Sequence, residues 1–172
     1  MWNETDTPLA YLITFRCHGT WLHGGERGSV DRFHRRFGAP YIAPDESWRR
    51  REAQALKSEP LTLNANQRTS VEAAVRETCE LRGWGLLALN VRTNHLHAVI
   101  GAGRKPPGSV LNALKANATR RLRQDGLWNR GHSPWADKGS QRYLWNERSV
   151  ERAIDYVLNG QGEDLRDFDL LD

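Results

Sequence analysis

The sequence predicts an α+β fold: a four-stranded antiparallel sheet with split βαβ connectivity and an added C-terminal helix. Three observations predict it. Segments of two-residue alternation and segments of helical periodicity follow one another as β-α-β-β-α-β, then α. Two of the strands flank 92-RTN-94, a connection short enough to require an antiparallel hairpin. The chain has 172 residues, the size of one domain with its own core. A single domain over residues 1–172 is expected, with a long irregular insertion at about 19–67.

The first strand is Leu9–His18, LAYLITFRCH, with Tyr11, Ile13, Phe15 and Cys17 alternating on one face. The insertion is rich in Gly, Pro and Arg and has room for a short helix around Glu46–Leu56. Thr69-Ser70-Val71-Glu72 fits a capping box, in which the threonine hydroxyl and the glutamate carboxylate satisfy open amides reciprocally. Val71, Val75 and Cys79 then recur at helical spacing until Gly83. Trp84–Val91 and His95–Gly101 form the hairpin. Pro106-Pro107-Gly108-Ser109 starts a helix to about Gln124, with Val110, Leu111, Leu114, Ala118 and Leu122 inward. Gln141–Trp145 is the fourth strand. Asn146 caps a last helix, Glu147 to about Asn159, whose apolar stripe is Val150, Ile154, Val157 and Leu158. In this ferredoxin-like order the first two helices cover one face of the sheet and the last is available to the other.

Composition sets further bounds. Hydrophobic residues make up 38% and charged residues 27%, as in a soluble globular domain. No apolar run reaches the roughly 18 residues of a spanning helix. The acidic N-terminus, MWNETDTPLAYLITF, is unlike a signal peptide, and two cysteines without metal-type spacing suit a reduced compartment, so a cytoplasmic location is expected. The net charge of +4 reads as a solvated surface or as a polyanion-binding one. Clustering at Arg35-Arg36, at Arg49, Arg50 and Arg51, and at Arg120, Arg121 and Arg123 with Lys115 nearby suits nucleic acid. Trp21, Trp48, Trp128 and Trp135 fall in expected loops, where each packs or stacks on an unpaired base.

The stretch 90-NVRTNHLHAVI-100 poses a sharper question. Residues two apart on a strand share a face, so His95 and His97 project together. Two imidazoles so placed are either ordinary histidines or two ligands converging on one divalent cation. A paired polar intrusion into a central strand favours the second. On the last helix, at about 100° per residue, Tyr156 falls off the apolar stripe and shares a side with Ser149, Arg152 and Asn159. A tyrosine there presents its hydroxyl rather than packing its ring.

The HLH strand, the late helix with its tyrosine and nearby amides, and the opening YLITFRCHGTWLHGGERGSVDR together resemble the IS200-type single-tyrosine transposases of the HUH superfamily. Within it the chain resembles the REP-associated tyrosine transposases, over about Leu9 to Gly162. The resemblance implies that His95 and His97 hold a metal ion, Mg²⁺ or Mn²⁺, and that Tyr156 is the nucleophile. It implies a third ligand, an amide or acid, one turn after the tyrosine. That position is Gly160 here, leaving Gln161 or Asn159 to serve. The implied activity is cleavage and rejoining of single-stranded DNA near hairpins through a covalent 5′-phosphotyrosine, by a monomer. The main alternative is a catalytically silent hairpin-DNA-binding protein of the same fold. A relaxase-like nuclease and a small-molecule metalloprotein are further alternatives; the latter leaves the arginine clusters and the off-stripe tyrosine unaccounted for.

Overall fold

The computed structural model describes residues 6–19 and 59–160. Their elements are β1 (Ala10–Arg16), α1 (Ala65–Arg82), β2 (Gly85–Val91), β3 (His95–Gly101), α2 (Pro107–Gln124), β4 (Ser140–Leu144) and α3 (Glu147–Asn159). The strands form one sheet in the order β2-β3-β1-β4, every pair antiparallel. This is the expected α+β arrangement, with β3 and β1 central.

Strand alternation sends each central strand to two different cores. Tyr11, Ile13 and Phe15 of β1, Cys17 just after it, and Leu96, Ala98 and Ile100 of β3 pack beneath α1 and α2, against Val71, Val75, Val110 and Leu114. On the opposite face Ala10, Ala88, Val99 and Leu144 meet Ala153 and Val157 of α3. That second core is small. It covers only part of its face, and the rest of that face is where β3 carries its histidines.

Several boundaries differ from the sequence expectation. The capping box of α1 is Asn64–Gln67, not Thr69–Glu72. Gln67 N donates to Asn64 Oδ1 at 2.9 Å and Asn64 N donates to Gln67 Oε1 at 3.0 Å. Asn-x-x-Gln satisfies the same reciprocal logic, and Leu61 and Leu63, both buried, anchor the chain just upstream. The helix therefore begins at Ala65 and the irregular insertion ends before it. Thr69 lies within the helix, where Oγ1 donates to the Ala65 carbonyl at 3.0 Å, and Glu72 pairs with Arg76 at 2.8 Å. Gly83 ends α1 in the left-handed conformation (φ 66°). On α3, Leu158 is 54% exposed and Ala153 is buried in its stead. The stripe is centred between Ala153 and Ile154, which turns Leu158 to the flank. The expected short helix at 46–56, Trp21 and Trp48 lie outside the described residues. Among the described residues no helix is long and apolar enough to cross a membrane.

Candidate active site

The site is built from a row of three residues across the sheet. Thr14 of β1 and Asn90 of β2 are the register partners of His97 on β3, so all three side chains share the α3 face. His97 is buried, and its Nδ1 lies 2.6 Å from Thr14 Oγ1. His95 Nδ1 lies 2.6 Å from Asn94 Oδ1. A carboxamide oxygen carries no hydrogen, so His95 donates from Nδ1 and its lone pair is on Nε2. The Thr14 hydroxyl can accept from His97 in the same way. Orientation of each imidazole through Nδ1 by a neighbouring oxygen is how metal-ligating histidines are usually held. The two rings lie 4.8 Å apart between centroids, inclined at 75°.

Helix α3 brings Tyr156 to this pair. Asn146 caps it, accepting from Ser149 N at 2.9 Å. Asn90 Nδ2 donates to the Val157 carbonyl at 2.9 Å, which ties the helix to the strand beside His97. The Tyr156 ring stands 5.3 Å from the His97 ring, at 69°, and stays 46% exposed. Gly160 contributes by having no side chain: a Cβ there would fall 2.7 Å from the Tyr156 carbonyl oxygen and 2.9 Å from its ring Cδ2.

A groove of about 600 Å³ runs from Tyr156 and His97 across β1 and β4. Three cations line it, Arg16, Arg142 and Arg152, with the hydroxyls of Thr14, Ser140 and Ser149. Three guanidiniums with polar hydroxyls beside a tyrosine and the His97 imidazole suit a phosphodiester chain. Arg16 and Arg142 are site residues that the sequence reading does not single out. Their signal in the sequence is alternation, since Leu12, Thr14 and Arg16 oppose the apolar face of β1. Their convergence needs the strand register, Leu12 opposite Arg142 and Thr14 opposite Ser140.

The other candidate residues are dispersed. Asn159 is exposed, and its Nδ2 donates to Asp155 Oδ1 at 2.8 Å. Gln161, Arg49, Arg50 and Arg51 lie outside the described residues. Lys115, Arg120, Arg121 and Arg123 are on α2, on the opposite side of the sheet from the groove. Lys115 Nζ donates to the carbonyls of Ala136 (2.8 Å) and Lys138 (2.7 Å), and burial lowers its pKa. Arg121 pairs with Asp125 at 3.0 Å and reaches Glu77 at 3.6 Å. Hydrogen bonds from Ser70 and then Arg121 hold the Asp125 carboxyl below its usual range. Arg123 Nη2 reaches the Arg130 carbonyl at 3.4 Å, while Arg120 is exposed. Trp128 and Trp135 are buried packing residues, and Trp135 stands edge-on to Phe15 at 4.9 Å. Among the described residues no three His, Cys, Asp or Glu side chains gather as a metal cluster. The donors they offer are the imidazole of His97, which lines the groove, and that of His95 beside it; the two fit a divalent ion completed by oxygen ligands.

Comparison with known proteins shows the family. Residues 55–153 match the family model described as IS200-like transposase. The match spans more than half of the chain, takes in His95 and His97, and stops three residues before Tyr156. No curated protein matches significantly. Seven chains of solved structures do. One, a REP-associated tyrosine transposase bound to a REP hairpin, is similar at TM-score 0.51 and 11% identity, over 91% of this chain and 68% of that one. Another, a candidate transposase from Deinococcus radiodurans R1, gives TM-score 0.44 and 15% identity, over 95% of this chain and 98% of that one.

Proposed function

Because the chain belongs to the IS200-like transposase family, we propose that it cleaves and rejoins single-stranded DNA beside hairpin-forming repeats through a covalent bond to Tyr156. The observation that carries this reading is the contact of the Tyr156 and His97 rings at 5.3 Å, at one end of an arginine-lined groove. An exposed tyrosine against a buried, oriented histidine meets no packing need that serine or alanine would not also meet.

In the proposed reaction the DNA strand lies in the groove with its phosphates on Arg16, Arg142 and Arg152. Charge-assisted bonds from guanidinium to phosphate oxygens fix the strand and offset charge that grows on them during displacement. The Tyr156 phenol oxygen attacks phosphorus in line, the bond from phosphorus to O3′ breaks, and the phenolic proton leaves through solvent while O3′ takes one up. The DNA is left as a 3′ hydroxyl and a 5′-phosphotyrosine. The ester retains the energy of the broken phosphodiester, so a second 3′ hydroxyl reverses the step on another strand. His95 and His97 would hold a divalent ion, Mg²⁺ or Mn²⁺, with Gln161 or Asn159 as third ligand. When bound, such an ion polarises the scissile phosphate. Thr14 and Asn94 hold the two imidazoles through Nδ1, and Asn90 holds the helix that carries the tyrosine.

The α2 cations, on the far side of the sheet from the cleavage groove, are proposed to follow the phosphates of the hairpin, and Arg49, Arg50 and Arg51 are proposed as further phosphate contacts. Recognition of a hairpin is supported by the fold likeness to a transposase solved with one. A monomer is proposed. Incubating the protein and Mn²⁺ with a labelled single strand carrying a hairpin tests the reading. An SDS-stable adduct plus a shortened strand is expected. Tight hairpin binding with neither product would establish the silent DNA-binding protein instead.

A further inference from the structure

Strand β4 is an edge strand, paired with β1 on one side and with no strand among the described residues on the other. Its residues alternate between two very different surfaces. Ser140 and Arg142 point into the groove. Tyr143 points to the opposite face, where its ring meets that of its register partner Tyr11 edge-on at 5.3 Å. Trp145, two residues on, stacks on Tyr143 with ring planes 9° apart and centroids 5.8 Å apart. Neither ring is absorbed into a core: Tyr143 is 48% and Trp145 42% exposed. The two near-parallel rings form one apolar step at the rim of the sheet.

A turn that carries two cations packs on the same aromatic cluster through its backbone. Tyr11 Oη donates to the Lys105 carbonyl at 2.9 Å, which places the turn before α2 against the same aromatic cluster. Arg104 and Lys105 in that turn are exposed. An exposed stacked aromatic pair at an open sheet edge is a liability for a protein that leaves it unused. Aromatic faces beside long cationic side chains have the chemistry that binds unpaired nucleotides, with bases on the rings and phosphates on the side-chain charges.

We propose that Tyr143 and Trp145, with Arg104 and Lys105, form a stacking platform for unpaired bases of the DNA strand, separate from the cleavage groove. The strand would pass over the rim at β4, with bases on Tyr143 and Trp145 on one face and phosphates on Arg142 and Arg152 on the other. This rests on the reading of single-stranded DNA as substrate, and it assigns β4 the role of guiding that strand between the two faces. The flat, hydrogen-bond-poor rings make the platform tolerant of base identity.

The test is fluorescence anisotropy of a labelled oligothymidylate without a hairpin, in EDTA, with the full chain. Tyr143→Ala and Trp145→Ala are each expected to weaken binding about ten-fold, and Trp145→Phe to retain most of it. Arg104→Ala with Lys105→Ala should flatten the salt dependence of the same titration. Unchanged affinity in both alanine variants, with the wild type binding, would overturn the platform and leave the cleavage reading intact. A wild type that does not bind the oligonucleotide would also overturn the platform, whereas loss of the cleavage reading would show only as no adduct on a hairpin-bearing strand with Mn²⁺. Light scattering on the same samples supplies a further arm: unchanged DNA affinity with loss of a dimer would overturn the platform and assign the aromatic step to a second copy of the chain.

Discussion

His97 and Tyr156 meet across the gap between β3 and α3, with ring centroids 5.3 Å apart and planes inclined at 69°. The two residues are 59 positions apart in sequence, and neither has an apolar reason to seek the other. His97 is held from beneath by Thr14. Tyr156 is held from behind by a helix that Asn90 ties to β2. The pair is thus fixed by two neighbours of one strand register, which makes its geometry a property of the sheet.

Thr14→Val keeps the shape at the base of the site and removes the hydroxyl. We expect Mn²⁺ affinity, read by calorimetry, to fall by about 10- to 100-fold, as when other supports of ligating histidines are removed. Unfolding should cost about 0.5–1.5 kcal/mol less, since one buried hydrogen bond to His97 is lost. Hairpin affinity should hold. Wild-type metal affinity in this variant would show that Thr14 does not orient a ligand.

Gly160→Ala should misplace the tyrosine. The added Cβ meets the Tyr156 carbonyl at 2.7 Å and its ring at 2.9 Å, and backbone cannot yield as a flexible side-chain end can. Cleavage should slow while hairpin binding and melting temperature change little, because the site is at the end of the last described helix. An unchanged single-turnover rate would show that the ring position does not limit the reaction.

Two arginine groups make separable predictions. Removing Arg120, Arg121 and Arg123 should weaken hairpin binding across sequences and flatten its salt dependence, by about one counterion for each phosphate no longer bound. Removing Arg142 and Arg152 should instead reduce cleavage of the single strand. Arg121 also supports Asp125 at the end of α2, so Arg120→Ala with Arg123→Ala is the cleaner variant. A salt slope left unchanged by it would turn this face of α2 away from DNA.

Much of this architecture is legible in the sequence, for reasons that also explain what is not. The HLH strand, the stripe of α2 and the off-stripe position of Tyr156 follow from the two local periods, and the structure agrees with them, while on α3 Ala153 replaces Leu158 in the stripe. Asn64–Gln67 and Thr69–Glu72 both fit the capping pattern, and only the burial of Leu61 and Leu63 decides between them. The α2 cations are visible because they are neighbours in the chain, whereas Arg16, Arg142 and Arg152 come from three elements and meet only through strand register. Trp128 and Trp135 lie between the regular elements, as read, and both pack in the core rather than stand free for a base. Trp145 reads as the end of a strand and is an exposed ring.

The thiols give a pH prediction. Burial pushes Cys17 up to about 12 and Cys79 up to about 11, from 9.0. Above pH 9 the unfolded chain releases thiol protons that the folded chain keeps, so stability is fully present below about 9 and declines as pH rises toward 11 and 12. Urea unfolding at pH 7 and pH 10 checks this, with a lower midpoint expected at pH 10. A thiol reagent at pH 8 should label neither cysteine until the protein unfolds. Rapid labelling of the native protein would contradict their burial.

The central claim is that Tyr156 becomes joined to DNA through a site that His95 and His97 organise. Peptide mapping by mass spectrometry of the SDS-stable adduct tests it most directly, in the wild type and in Tyr156→Phe, His95→Ala and His97→Ala. The account predicts a nucleotide mass on the peptide containing Tyr156 in the wild type, none in Tyr156→Phe, and no adduct in either histidine variant while each still binds the hairpin. An adduct on Tyr143 or any other residue, or one that survives Tyr156→Phe, would contradict it.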